Sequence, residues 1–205
     1  LTLAFVIYRA RAAGGCATKN LSFTGVIAGA ILSAGISMLK YLADEQVSVI
    51  IFWLMGSFAA KTWPEVALTL SVVGAGLAVF IFFSKDLNLL SLGERTASSL
   101  GVDTKRSPLI LLVTASLVSA VCVSVSGIIG FVGLLVPHMM RSVCGPDNRR
   151  LIPLSFLAGA ILLLAADTVT RAVLPREVPI GVLTALIGGP VFCWIFRRRQ
   201  TQRMW

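Results

Sequence analysis

The sequence predicts an all-α, polytopic membrane protein, and three observations carry that prediction. Mean hydropathy is +0.90, with 57% of residues hydrophobic. Only 13% are charged, against about 25% in a typical soluble domain. Apolar runs of bilayer length also recur. A span needs roughly 20 such residues, and about six full runs plus a partial first one fill nearly all 205 residues. No separate soluble domain fits, so residues 1–205 are read as one transmembrane domain.

The elements follow in order. Leu1–Tyr8 (LTLAFVIY) reads as the last turns of a span already under way, and the chain as the C-terminal part of a longer protein. It lacks the basic start and cleavage site of a signal peptide. Arg9, Arg11 and Lys19 form a basic loop. In the span Leu21–Leu42, Gly25, Gly29, Ser33 and Ser37 recur every fourth position and share one helix face. Such a face suits close helix packing or the wall of a pore. Val47–Phe58 is apolar but too short to span, and Trp53 and Trp63 are interface anchors. It is predicted as a re-entrant or interfacial helix. Pro64 opens the span Glu65–Phe83, where its missing N–H costs nothing.

Ser84–Ser107 is the longest polar segment. Leu87–Leu92 and Glu94–Leu100 are predicted as two short helices separated by Gly93, the second stopped by Gly101. Leu87, Leu89, Leu90, Leu92, Ala97 and Leu100 suggest a surface that docks onto something, not a solvated linker. Pro108–Ser126 is the next span. Gly127–Arg150 follows, broken by Gly127, Gly130, Gly133, Pro137, Gly145 and Pro146. Irregular backbone at membrane depth survives only where protein covers it or a cavity lies beside it, and so this stretch points toward transport. Leu151–Leu174, the turn Pro175–Pro179 and Ile180–Phe196 complete the spans.

This arrangement puts 14 of the 18 Lys and Arg residues on inner segments, ending in Arg197–Arg199 and Arg203. Lys40, Lys61, Arg171 and Arg176 are the outer remainder. The positive-inside rule thus accounts for the net charge of +9, and no nucleic-acid partner is needed.

Catalysis finds little footing. Cys16, Cys122, Cys144 and Cys193 form no CxxC pair and read as packing residues. His138, the lone histidine, cannot hold a metal unaided and reads as a hydrogen-bonded structural residue. There is no phosphate loop or nucleophile elbow. No carboxylate cluster sits in the spans to run an ion-driven transporter. The chain is therefore read as neither an enzyme nor a cofactor or metal binder. Energy for transport would come from a partner on the inner loops. Asp167 and Arg171 stand at i, i+4 near an outer span end. They are either a plain salt bridge or a positive charge held out to an external partner.

Three blocks carry a resemblance. They are LNLLSLGERTASSLG (Leu87–Gly101), SGIIGFVGLLVPHMMRSVCGPDNRRLIP (Ser126–Pro153), and LAGAILLLAADTVTR with EVPIGVLTALIGGPVFCWIF (Leu157–Arg171, Glu177–Phe196). In order and spacing the chain resembles FecCD-type permease subunits of ABC importers for iron-siderophores, haem and cobalamin. The resemblance implies a type II importer fold in the cell inner membrane, of which this chain holds the end of the fourth helix through the tenth. It implies an ATPase subunit, a periplasmic or lipid-anchored substrate-binding protein and a second permease subunit as partners. It makes residues 84–107 the coupling loop, with Leu90, Leu92, Gly93, Glu94, Ala97, Leu100 and Gly101 as contacts. Arg171, oriented by Asp167, would meet the binding protein. Gly29, Ser33, Ser37, Thr184 and Gly188 would face the pathway, and the loop Thr18–Asn20 would lie near the inner gate. Molybdate-type importers of related build, and a secondary transporter relying on Asp167, are the alternative readings.

Overall fold

The computed structural model describes residues 18–42, 47–173 and 179–202, with 18–24, 47, 173 and 193–202 described by backbone alone. The partial span Leu1–Tyr8, the outer acids Asp44 and Glu45, and most of the turn Pro175–Pro179 lie outside the described residues. Every described element is a helix. They are α1 (Thr18–Leu42), α2 (Val47–Leu54), α3 (Trp63–Phe82), α4 (Ser84–Leu90), α5 (Glu94–Ser99), α6 (Arg106–Ser126), α7 (Val132–Cys144), α8 (Asn148–Val173) and α9 (Ile180–Gln202).

Four of these are long and apolar enough to cross a bilayer: Gly25–Leu42, Trp63–Phe82, Arg106–Ser126 and Asn148–Ala172. Val132–Cys144 and the apolar part of α9, Ile180–Phe192, are shorter. The six runs read from the sequence are therefore four long helices and two short apolar ones.

The chain divides into two compact units, Leu1–Ile51 and Phe52–Trp205. The first contains α1. Its helix begins at Thr18, three residues before the expected span. Thr18–Asn20 is therefore the first helical turn and not a loop. The Gly14–Gly15 pair lies before it, and no Gly or Pro interrupts the chain from Thr18 to Phe23.

In the second unit, α8 is the element the others share: α3, α4, α7 and α9 all pack on it. The remaining main contact is α3 on α6. There Gly76 is buried, and a Cβ added to it would collide with Val118. The interior is thin, built from residues such as Leu111, Leu135, Val136, Leu151 and Ile180. Most large apolar side chains point outward, including Leu70, Phe82, Ile161, Leu164 and Leu186. That is the expected distribution for helices whose solvent is lipid.

Local signals explain most boundaries. Glu65 accepts hydrogen bonds from the Thr62 N–H at 2.8 Å and the Thr62 hydroxyl at 2.9 Å, while Pro64 occupies the opening turn of α3. Gly93, at φ +105°, separates α4 from α5. Asp103 accepts from the backbone N–H groups of Lys105 and Arg106, both at 3.0 Å, ahead of α6.

The break after α6 is built from backbone touching backbone. The Ser57 N–H donates to the Ser126 carbonyl at 2.9 Å. Gly127 has φ +72°, and a Cβ there would strike the Trp53 carbonyl and lie 2.9 Å from the Gly56 Cα. At the start of α9, a Cβ on Gly181 would strike the Met55 carbonyl and lie 2.6 Å from the Ile128 carbonyl. Gly127→Ala and Gly181→Ala should each destabilise the protein by about 1–3 kcal/mol, through overpacking and, at Gly127, a left-handed backbone. Gly74→Ala, where nothing lies within 4 Å, should be neutral or stabilising by about 1 kcal/mol or less. Thermal unfolding in detergent would order the three variants.

Candidate functional site

Two regions at opposite ends of the second unit bring chemistry-bearing residues together. One is the hairpin formed by α4 and α5, expected from its basic residues to be on the inner side. The other is the C-terminal end of α8, expected to be on the outer side.

Polar bonds fasten the hairpin to the long helices. Ser107, 3% exposed at the start of α6, donates its hydroxyl to Asp86 of α4 at 2.9 Å. Asn88 of α4 donates from Nδ2 to Asp147 Oδ1 at 2.7 Å. Its Oδ1 accepts from the Asn148 backbone N–H at 2.9 Å and from the Asn148 side-chain amide at 2.8 Å. Asp147 also caps α8 by accepting from the Arg149 N–H at 3.1 Å. The Asn88 amide, the Arg149 N–H, and the charges of Arg149 and Arg150 hold the Asp147 carboxyl below its ordinary 3.8.

What the hairpin leaves exposed is apolar with charges of both signs, Glu94 and Arg95 among them. Leu92 is 64% exposed and Leu100 57%. Gly93, Glu94 and Gly101 are exposed beside them, and Leu90 is half-buried. Ala97 departs from the expected contact set, because its side chain is wholly buried. Its N–H bonds the Gly93 carbonyl and its carbonyl accepts from Leu100 and Val102. Ala97 therefore holds the hairpin closed from within, and Leu92 and Leu100 form the outward surface.

At the far end of α8, Arg171 Nε lies 2.9 Å from Asp167 Oδ2. The arginine side chain is 49% exposed and the aspartate 21%. The one-turn spacing thus makes the pair, and among the described residues Asp167 engages only the Nε of the guanidinium.

The other expected sites fare differently. Gly29, Ser33 and Ser37 lie exposed along α1, and Ser37 donates to the Ser33 carbonyl at 2.9 Å. Thr184 is 8% exposed and donates to the Gly181 carbonyl at 3.1 Å. Gly188 is buried, with Phe131 so close that an added Cβ would sit 3.0 Å from its Cγ. Both line a small apolar cleft of about 210 Å³ between α7, α8 and α9. Thr184 and Gly188 thus sit where α7, α8 and α9 meet, with the Phe131 side chain against Gly188. His138 is half-buried, and its imidazole has no hydrogen bond among the described residues. The hydrogen-bonded role expected for it is not seen. No group of residues suited to a metal occurs among the described residues.

A family model described as the FecCD transport family matches residues 1–198. The cobalamin import system permease protein BtuC of Halobacterium salinarum is 42% identical over 205 residues, covering 100% of this chain and 55% of that protein. The hemin transport system permease protein HmuU of Yersinia pestis is 38% identical, covering 90% and 56%. The molybdate import system permease protein MolB of Haemophilus influenzae is 40% identical, covering 84% and 52%. A solved chain described as an inward-facing conformation of a metal-chelate type ABC transporter superposes with a TM-score of 0.85 at 37% identity, covering 96% of this chain and 63% of that one. The chain thus spans little more than half the length of these curated relatives.

Two outcomes follow from the site geometry. The Asp167–Arg171 pair is partly exposed, so Asp167→Asn should change stability by less than about 1 kcal/mol in thermal unfolding. Asp147 has a depressed folded value, so its contribution is present above its ordinary 3.8 and is lost as pH falls through the lower folded value. Asp147→Asn should therefore flatten the loss of thermal stability as pH falls below the ordinary 3.8.

Proposed function

Because the chain belongs to the FecCD transport family, we propose that it is the membrane-spanning part of a permease subunit of an ABC importer in the cell inner membrane. ATP hydrolysis then belongs to a separate subunit. The observation that carries the reading is the inner hairpin. It is braced from behind by Asp86 and Asn88, and it offers the exposed leucines Leu92 and Leu100 beside Glu94. A braced apolar surface on the basic side of the membrane suits a cleft in a soluble engine.

The substrate class proposed is a metal chelate, either an iron chelate such as a siderophore complex or haem, or cobalamin. Support comes from relatives named for cobalamin and hemin transport. The 40% identity to a molybdate import permease supports oxyanion import as the second reading. Two permease subunits would enclose the pathway about a twofold axis. Gly29, Ser33 and Ser37 would line it, with Thr18 and Asn20 near the inner gate. A loaded binding protein would dock outside on Arg171, oriented by Asp167. ATP-driven closure inside would move the hairpin and switch the access of the pathway.

Two measurements on the full-length protein test this reading. Arg171→Glu should weaken binding-protein affinity about tenfold or more, since truncating one partner of an interfacial charge pair costs about 2–5 kcal/mol. Unchanged affinity and uptake would remove Arg171 from the docking role. Replacing Gly93 and Glu94 together by alanine strains a backbone at φ +105° and removes the outward acid. ATP hydrolysis should then continue while uptake falls. Normal ATP-driven uptake by that variant would remove the hairpin from coupling.

A further inference from the structure

The hairpin is tied to α8 through one residue that uses both ends of its side chain. Asn88 gives Nδ2 to the Asp147 carboxylate and offers Oδ1 to the two donors of Asn148. The orientation of the carboxamide is fixed by chemistry. A backbone N–H can only donate, so the Asn88 atom facing it must be oxygen, which leaves nitrogen for the carboxylate. These partners lie 59 and 60 positions away in the chain, and no local turn brings them together. One of the three bonds is charge-assisted and therefore among the stronger kind.

The bonds converge on the first turn of α8. From there the helix continues to Val173, with Pro153 inside it leaving one backbone hydrogen bond unmade near its start, and Asn148 to Arg171 is about 35 Å along its axis at about 1.5 Å per residue. It is also the helix on which α3, α4, α7 and α9 all pack. Resting on the permease reading above, we infer that Asn88, with Asp147 and Asn148, is the joint through which movement of the inner hairpin is passed to α8. Asn88 is then a positioning residue: it touches neither substrate nor nucleotide.

A polar joint does what leucine packing cannot. Apolar side chains can slide past one another by an ångström with little loss. Hydrogen bonds weaken steeply outside a narrow range of distance and angle. A donor, an acceptor and a second donor arranged in that order admit one register. A hairpin displaced by an engine must therefore carry the first turn of α8 with it or break all three bonds. The Asp86–Ser107 bond is charge-assisted too, but it is a single contact to α6, and α6 shares fewer neighbours than α8.

The test uses the full-length complex with its ATPase and binding protein, reconstituted in proteoliposomes. Asn88→Asp faces a carboxylate with a carboxylate and removes the donor. Asn88→Asp combined with Asp147→Asn restores a donor–acceptor pair with the roles exchanged, and Asn148 keeps its acceptor. The readouts are retention of the ATPase subunit, the rate of ATP hydrolysis, and uptake per ATP. Asn88→Asp should retain the ATPase and hydrolyse within about twofold of the unaltered complex, while uptake per ATP falls about tenfold or more. The double exchange should recover most of it. The joint is overturned if uptake per ATP in Asn88→Asp stays within about twofold of the unaltered complex. It is equally overturned if hydrolysis and uptake fall in proportion, or if a well-assembled double exchange recovers nothing. An unaltered complex without ATP-driven uptake would overturn the permease reading itself, and the joint with it.

Discussion

Hydrocarbon offers no partner to a peptide group, and the segment after α6 is where this chain meets that constraint at its hardest. Four residues, Gly127–Gly130, leave the helical path, and Phe131 adopts φ +65° before α7 begins. The freed groups are answered by protein. Ser57 donates to the Ser126 carbonyl, Gly127 to Val123, and the Phe131 carbonyl accepts from Leu134 and Leu135. That solution needs three strands of backbone in direct contact: the loop after α2, the break itself, and the first turn of α9. Gly56, Gly127 and Gly181 supply the missing side chains, and each has a carbonyl of another segment in the place of a Cβ. α7 is short because this knot takes up residues 127–131 before the chain restarts as a helix at Val132 against α8.

The left-handed Phe131 shows how the constraint propagates. Such a backbone costs a bulky L-residue roughly 1–2 kcal/mol, so the surrounding packing must hold it. It does so through Gly188, where only a glycine admits the phenylalanine side chain. The small residues of α9 are thus explained by what leans on them. A small residue on a membrane helix signals close approach of something, and the sequence does not say whether that is a neighbour's side chain or a passing substrate.

This is also where legibility ended. The breaks at Gly93, Gly101 and Gly127 were readable because a positive φ selects glycine. The Asp167–Arg171 pair was readable because one helical turn fixes the partner. The two short inner helices were readable from their leucine spacing. Which face of the second points outward was not, since Ala97 and Leu100 sit three apart and are both apolar, yet one is wholly buried and the other 57% exposed. Asn88 gave no signal at all. Polar residues on a loop are ordinary, and its partners are contributed by the turn between α7 and α8, three helices later.

The division of labour between apolar and polar contacts follows from the solvent. Between spans, leucine against leucine gains little over leucine against a lipid tail, so apolar faces hold helices together without fixing their register. The interior here is accordingly thin, and side chains such as Leu164 and Leu186 remain outward. Register must then come from groups that lipid cannot imitate: close glycine contacts at the outer end, and directed hydrogen bonds at the inner end. α8 is held by both kinds of neighbour. It packs on α7, which the glycine knot restarts, and it begins at the cap that Asn88 grips. Beyond Pro153, where one backbone bond is already absent, α8 resists bending, because bending it would break bonds that hydrocarbon cannot replace. Under the permease reading proposed above, that stiffness matters more than the strength of any single contact.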